Sequence, residues 1–139
     1  MSAAELFVTM RTAATGGAGG ADRRPVVLGD DVTTADDLFA AAEAVAAQVA
    51  GAPGVAVHAT VSASTVAAVL GGLAAGVPVV PVSADTGIAE RDHIVTDSGA
   101  SVLYAERADD PLLDGLTIPV RTVDWPSNRR GAIHSPTRP

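Results

Sequence analysis

An α/β fold with an open, mainly parallel sheet and flanking helices is predicted by three features of this 139-residue sequence. Short apolar runs at Val55–Ala59, Val79–Val82 and Ser101–Ala105 alternate with stretches whose apolar residues recur at helical spacing. Glycine or proline marks each switch: Gly51 with Pro53, Gly76 with Pro78, then Gly99. The run Val79–Val82 is apolar without interruption, as expected of a parallel strand covered on both faces. That succession is a βαβαβ pattern with right-handed crossovers.

Taken in order, Met1–Thr15 reads as a short helix, with Glu5 ahead of any basic residue and no long apolar run, unlike a secretory signal. Thr15–Asp22 (TGGAGGAD) reads as a flexible hinge. A dinucleotide fingerprint would follow a strand and open a helix, whereas this run follows a helix and precedes Pro25 and the strand Val26–Gly29. Asp30-Asp31 is assigned to a turn. Thr34-x-x-Asp37 resembles a capping box, and the helix it starts carries Leu38, Ala42, Val45 and Val49 on one face, with Asp36 and Asp37 at the positive end of its dipole.

After the strand Val55–Ala59, Ser62 or Ser64 can cap a helix whose Val66, Val69, Leu70 and Leu73 form one stripe. Gly71-Gly72 lies beside that stripe and weakens the helix unless a neighbouring backbone packs closely against it. Following Val79–Val82, Asp85 or Thr86 is expected to cap a helix that ends near Asp97, with Gly99 as its left-handed stop. Ser101–Ala105 is the next strand, Arg107–Gly115 an acidic loop, and Ile118–Val123 the last strand. The expected organisation is therefore an N-terminal helix and Gly-rich linker over 1–22, an α/β subdomain over 23–124, and a connector tail to a further region over 125–139.

Composition excludes several chemistries. All 9 basic residues are Arg, so a GxxxxGK[ST] phosphate loop, a Schiff-base nucleophile and the Lys-completed acidic pocket of a phosphoacceptor receiver domain are absent. Without Cys there is neither a zinc ribbon nor a thiol redox motif, and such a chain suits a reducing cytoplasmic compartment. A net charge of -7 with 3% aromatic residues argues against nucleic acid as a partner. No membrane span is expected, because Val66–Val82 falls short of the ~20 residues a crossing needs and is broken by Gly76, Pro78 and Pro81.

In open α/β sheets ligands sit beyond the carboxyl ends of the strands, which makes Thr60–Thr65 (TVSAST) the first place for an anion site. Its hydroxyls serve equally as helix caps, the simpler of the two readings. His58, His93 and His134 lack the i, i+4 spacing that turns two imidazoles toward one metal. No G-x-S-x-G elbow is present, and the acidic pairs Asp30-Asp31, Asp36-Asp37 and Asp109-Asp110 read as turn and cap residues. No residue is assigned a catalytic, cofactor-binding or metal-binding role. A free-standing flavodoxin-like binding or interaction module is one reading of such a chain.

A second reading comes from resemblance. The segment Ala75–Leu103, AGVPVVPVSADTGIAERDHIVTDSGASVL, resembles the amino-terminal part of the adenylate-forming acyl-CoA synthetases through Ala75, Gly76, Pro81, Glu90, Ile94, Asp97, Ser98, Gly99 and Ala100. Upstream, VVLGDDVTTADDL is similar to the same family at Thr33 and Leu38 and departs from it at Thr34, where an aromatic residue is common. The resemblance runs in order from about Arg24 to the end. It implies the N-terminal subdomain of an ATP-dependent fatty-acid or short-chain acyl-CoA ligase, which joins a carboxylic acid to AMP, releases pyrophosphate and passes the acyl group to coenzyme A. A small dicarboxylate such as malonate is one implied substrate; within the superfamily, an adenylation domain of peptide synthesis or an aryl-CoA ligase is the nearest rival reading.

ATP, Mg²⁺ and coenzyme A are implied for the full-length enzyme, and none for these residues. In that family the hydroxyl-rich phosphate loop ending in Lys-Gly follows a segment like Ser135–Pro139. The resemblance thus implies the first portion of a longer synthetase, inactive alone. Its expected partners are the remainder of that synthetase or, through exposed apolar surface, a second copy.

Overall fold

The structure is a computed structural model that describes residues 2–14 and 25–126. Helix α1 (Ala3–Ala14) precedes a hairpin of β1 (Pro25–Leu28) and β2 (Asp31–Thr34), after which α2 (Ala35–Val49) leads into β3 (Val55–Ala59). Then come α3 (Ala63–Ala74), β4 (Val79–Ser83), α4 (Ile88–Ser98), β5 (Val102–Tyr104), a 3-10 turn at Pro111–Leu113, and β6 (Val120–Arg121). The hairpin is antiparallel; the other four strands form one parallel sheet in the order β4-β3-β5-β6.

Strand β3 sits between two neighbours, with Val55 level with both Val79 and Val102. Its side chains alternate between the faces, as the two-residue repeat of a strand requires. Val55 and Val57 pack with Leu38, Ala41, Val45 and Val49 of α2 and with Ala67 and Ala68 of α3, whereas Ala56 packs on the other face with Val95 of α4, Leu103 and Leu113. Coverage of both faces is why this strand is apolar on both faces, His58 excepted. Helix α1 adds Phe7, which meets Phe39 of α2 edge-to-face at a centroid distance of 5.4 Å.

The glycine pair has the packing role its position predicts. A Cβ on Gly71 would stand 2.7 Å from the Ala42 backbone oxygen of α2, and one on Gly72 would stand 2.5 Å from Val79 Cγ2. Only hydrogen fits at Gly71, so α3 can lie directly on α2.

Caps and stops account for most helix ends. Thr34 accepts from the Asp37 N–H at 3.2 Å, Ser62 rather than Ser64 accepts from the Thr65 N–H at 3.2 Å, and Gly99 ends α4 at φ 75. Helix α4 departs from expectation: its cap residue is Gly87, with no side-chain cap bond, in place of Asp85 or Thr86. The backbone N–H groups of both expected caps turn back to Ser83, to its Oγ at 3.2 Å and its carbonyl at 3.1 Å, so the turn uses up those residues before the helix begins.

The hairpin corrects a second expectation. Asp31 opens a strand, and the turn moves to Gly29 and Asp30, with Gly29 at φ 62. Positive φ at the first central residue is what a II′ hairpin turn asks of glycine. Strand β2 buries Asp31 and Thr33, so its two-residue alternation is carried by partnered polar groups in place of hydrophobes and leaves no apolar signature. The last strand also shrinks from Ile118–Val123 to Val120–Arg121, because β5 offers it only Leu103 and Tyr104 to pair with. Among the described residues no helix is long and apolar enough to cross a membrane; Val66–Val82 is part of α3 followed by β4. The Thr15–Asp22 hinge, His134 and nearly all of the tail lie outside the described residues.

Candidate functional site

The carboxyl end of β3 delivers the chain into Thr60 and Val61 and then into the first turn of α3, and three hydroxyls converge there. Thr60 Oγ1 lies 2.9 Å from Ser62 Oγ and 3.2 Å from Thr65 Oγ1. The Thr60 N–H donates to Thr65 Oγ1 at 3.0 Å, and Ser62 Oγ donates to the same oxygen at 3.2 Å. Thr65 Oγ1 reaches the His58 carbonyl at 3.4 Å, and Thr60 Oγ1 donates to Glu106 Oε1 at 2.8 Å, just past β5. From the hairpin, the buried carboxylate of Asp31 accepts the Ala63 N–H at 2.9 Å.

This arrangement favours the capping reading of TVSAST. A helix N-terminus attracts an anion because its first N–H groups lack intrahelical partners and carry partial positive charge. Here the Ala63 N–H is taken by Asp31 and the Thr65 N–H by Ser62. Asp31 itself supplies the negative charge the dipole favours. An incoming phosphate would have to displace one carboxylate and approach Glu106, a second. Inorganic pyrophosphate is therefore expected to leave the amide resonances of Ser62–Thr65 unmoved in a heteronuclear NMR titration; saturable shifts confined to that loop would restore the anion-site reading.

The same residues do not fit a nucleotide with its metal. No Lys is available to reach a phosphate, and among the described residues no group of three His, Asp or Glu is placed to hold an ion. His58 is buried on β3 and His93 is exposed on α4, so these two do not share a setting. The acidic pairs act largely as expected. Asp110 accepts from the Leu112 N–H at 2.9 Å at the 3-10 turn, and Asp109 pairs with Arg107 at 3.1 Å. Asp31 is the exception, a 7% exposed tether between hairpin and helix that its sequence neighbour Asp30 conceals.

Sequence reasoning also misses Arg91. It is 3% exposed, and its Nη1 donates to the Leu112 carbonyl at 2.7 Å while Nη2 donates to the Asp114 carbonyl at 2.9 Å. Nε and Nη2 also bond Asp92 Oδ1, at 2.9 and 2.7 Å. The guanidinium fastens the acidic loop onto α4. In the sequence it is one charged residue among several on a polar helix, with no signal that it turns inward.

A family model for AMP-binding enzymes matches residues 16–130, most of the chain. The chain belongs to that family. Its fold is that of the N-terminal subdomain of adenylate-forming enzymes. Among solved structures, this AMP-binding family chain is 31% identical to IdnL7, with a TM-score of 0.71 over 91% of its own length and 26% of IdnL7. Against the AMPPNP-bound nonribosomal peptide synthetase FmoA3 the identity is 25% and the TM-score 0.65, covering 87% of this chain and 13% of that one. The O-succinylbenzoate coenzyme A synthetase MenE from Bacillus subtilis, in complex with AMP, shares the fold at 22% identity and a TM-score of 0.63, over 84% of this chain and 30% of MenE. No curated protein sequence matches the chain. It spans at most 30% of any of these three structures.

Proposed function

We propose that these residues form the N-terminal scaffold of an ATP-dependent ligase that activates a carboxylic acid as its acyl-adenylate and transfers the acyl group to coenzyme A. The observation that carries this reading is the family match over residues 16–130, joined to a strand-end loop whose polar groups are already satisfied by one another. The scaffold belongs to adenylate chemistry, while the nucleotide-handling groups come from other segments of the protein. The resemblance at Ala75–Leu103 and the likeness to MenE support coenzyme A as the acceptor. The likeness to FmoA3 favours a second reading, adenylation in peptide synthesis, with the same first half-reaction.

The partner in this reading is the remainder of the synthetase. On the hairpin, Val27 lies opposite Val32 and both are exposed; Val61, 80% exposed, lies beside Gly29, and Ile88 and Leu112 are exposed as well. These side chains are the surface we assign to contact with that remainder, or to self-association where it is missing.

The full-length protein is expected to exchange pyrophosphate into ATP only when a carboxylic acid is present, and to form an acyl-coenzyme A thioester on addition of coenzyme A. The isolated 139-residue chain is expected to do neither. Exchange without thioester formation moves the assignment to peptide synthesis, and exchange by the isolated chain overturns the scaffold reading.

A further inference from the structure

A cavity of about 160 Å³ lies on the α2 side of β5 and β6, separate from the hydroxyl loop. Val49, Ala52, Val102 and Pro119 supply its apolar wall, and Gln48, Ser101, Tyr104 and Arg121 its polar one. Tyr104, 1% exposed, donates its phenolic hydrogen to Gln48 Oε1, and Gln48 Nε2 in turn donates to Asp124 Oδ2 at 2.7 Å. Gln48 and Asp124 are thus tied to each other. Arg121 lines the same recess, is exposed, and forms none of the ion pairs found among the described residues. Burial pushes the Tyr104 phenol upward from its ordinary pKa, with Arg121 opposing and Asp124 adding to the shift, so the phenol stays protonated and neutral beside the cation.

An exposed planar cation on a recess with one apolar and one polar wall is matched by one ligand chemistry in particular. A carboxylate accepts two parallel bonds from a guanidinium, and a cavity of roughly 150 Å³ accommodates a benzene ring. We propose that this recess binds a small planar monocarboxylate, its carboxylate on Arg121 and its body against Val49, Ala52, Val102 and Pro119. The site goes beyond the adenylate reading, which assigns no ligand to any residue of this recess.

Benzoate and its neutral counterpart benzamide, titrated into the full-length protein and followed by NMR at Ala52, Ser101 and Val102, test this directly. Benzoate is expected to give saturable shifts with a dissociation constant on the order of 1 mM, and benzamide to bind about tenfold more weakly. Arg121→Gln is expected to remove the preference for benzoate, and Ala52→Leu, which fills the recess but keeps the cation, to weaken both ligands. Equal binding of the two compounds, benzoate binding unaffected by Arg121→Gln, or no shift in the native protein overturns the proposal. Because the readout is binding at this recess, failure here leaves the adenylate reading standing, and loss of pyrophosphate exchange does not bear on the recess.

Discussion

Gly71→Ala is expected to destabilise the protein by about 3 kcal/mol, even though alanine is the better helix former by about 1 kcal/mol. The added methyl would sit 2.7 Å from the Ala42 backbone oxygen and 2.5 Å from Val45 Cβ, and neither can swing aside without moving α2. At Gly72 the nearest atoms are the methyl tips of Val79 and Val55, which rotate more readily, so Gly72→Ala is expected to cost about 1 kcal/mol. Gly76→Ala meets nothing within 4 Å but sits at φ 69, a backbone penalty of about 1 kcal/mol. Urea denaturation of the three variants should rank Gly71 well ahead of the other two. Equal losses at all three positions would show that α3 does not rest on the α2 backbone.

Arg91→Ala carries the second large effect, an expected loss of about 3 kcal/mol. Two backbone carbonyls lose charge-assisted donors, and the void falls beneath the loop that covers the α4 face of the sheet. Asp92, whose side chain is half exposed, contributes little by itself, so Asp92→Ala is expected to cost under about 1 kcal/mol. Arg91→Lys keeps the charge but cannot fork between Leu112 and Asp114, and is expected to recover less than half of the loss. Denaturant midpoints decide it: if Arg91→Ala and Asp92→Ala agree within about 0.5 kcal/mol, the guanidinium is not the fastener of this loop.

These two residues show where sequence legibility stops. Gly71 is readable up to a point, since two glycines beside an apolar helical stripe announce a close approach, although the partner, Ala42 of α2, is not named by any local pattern. Arg91 is unreadable, because burial of a long cation is made favourable by carbonyls 21 and 23 residues away. Asp31 fails for a related reason. Its acceptor role is completed by the Ala63 N–H, 32 positions on, and next to Asp30 it looks like an ordinary turn residue. The hydroxyl loop is open to two readings in the sequence, capping and anion binding, and the groups that favour capping, Asp31 of β2 and Glu106 just past β5, come from distant positions.

The pattern of β3, α3, β4 and α4 was settled by the order of residues alone. Apolar periodicity, the Thr34 and Ser62 caps and the Gly99 stop act within a few positions along the chain, over the same range as the hydrogen bonds that build helices and turns. Tertiary structure alone fixed the strand order β4-β3-β5-β6, the hairpin strand that buries Asp31 and Thr33, and the inward turn of Arg91. Each of these depends on polar or apolar groups remote in sequence that satisfy one another only once water has been excluded between them, and no nearest-neighbour pattern encodes that condition.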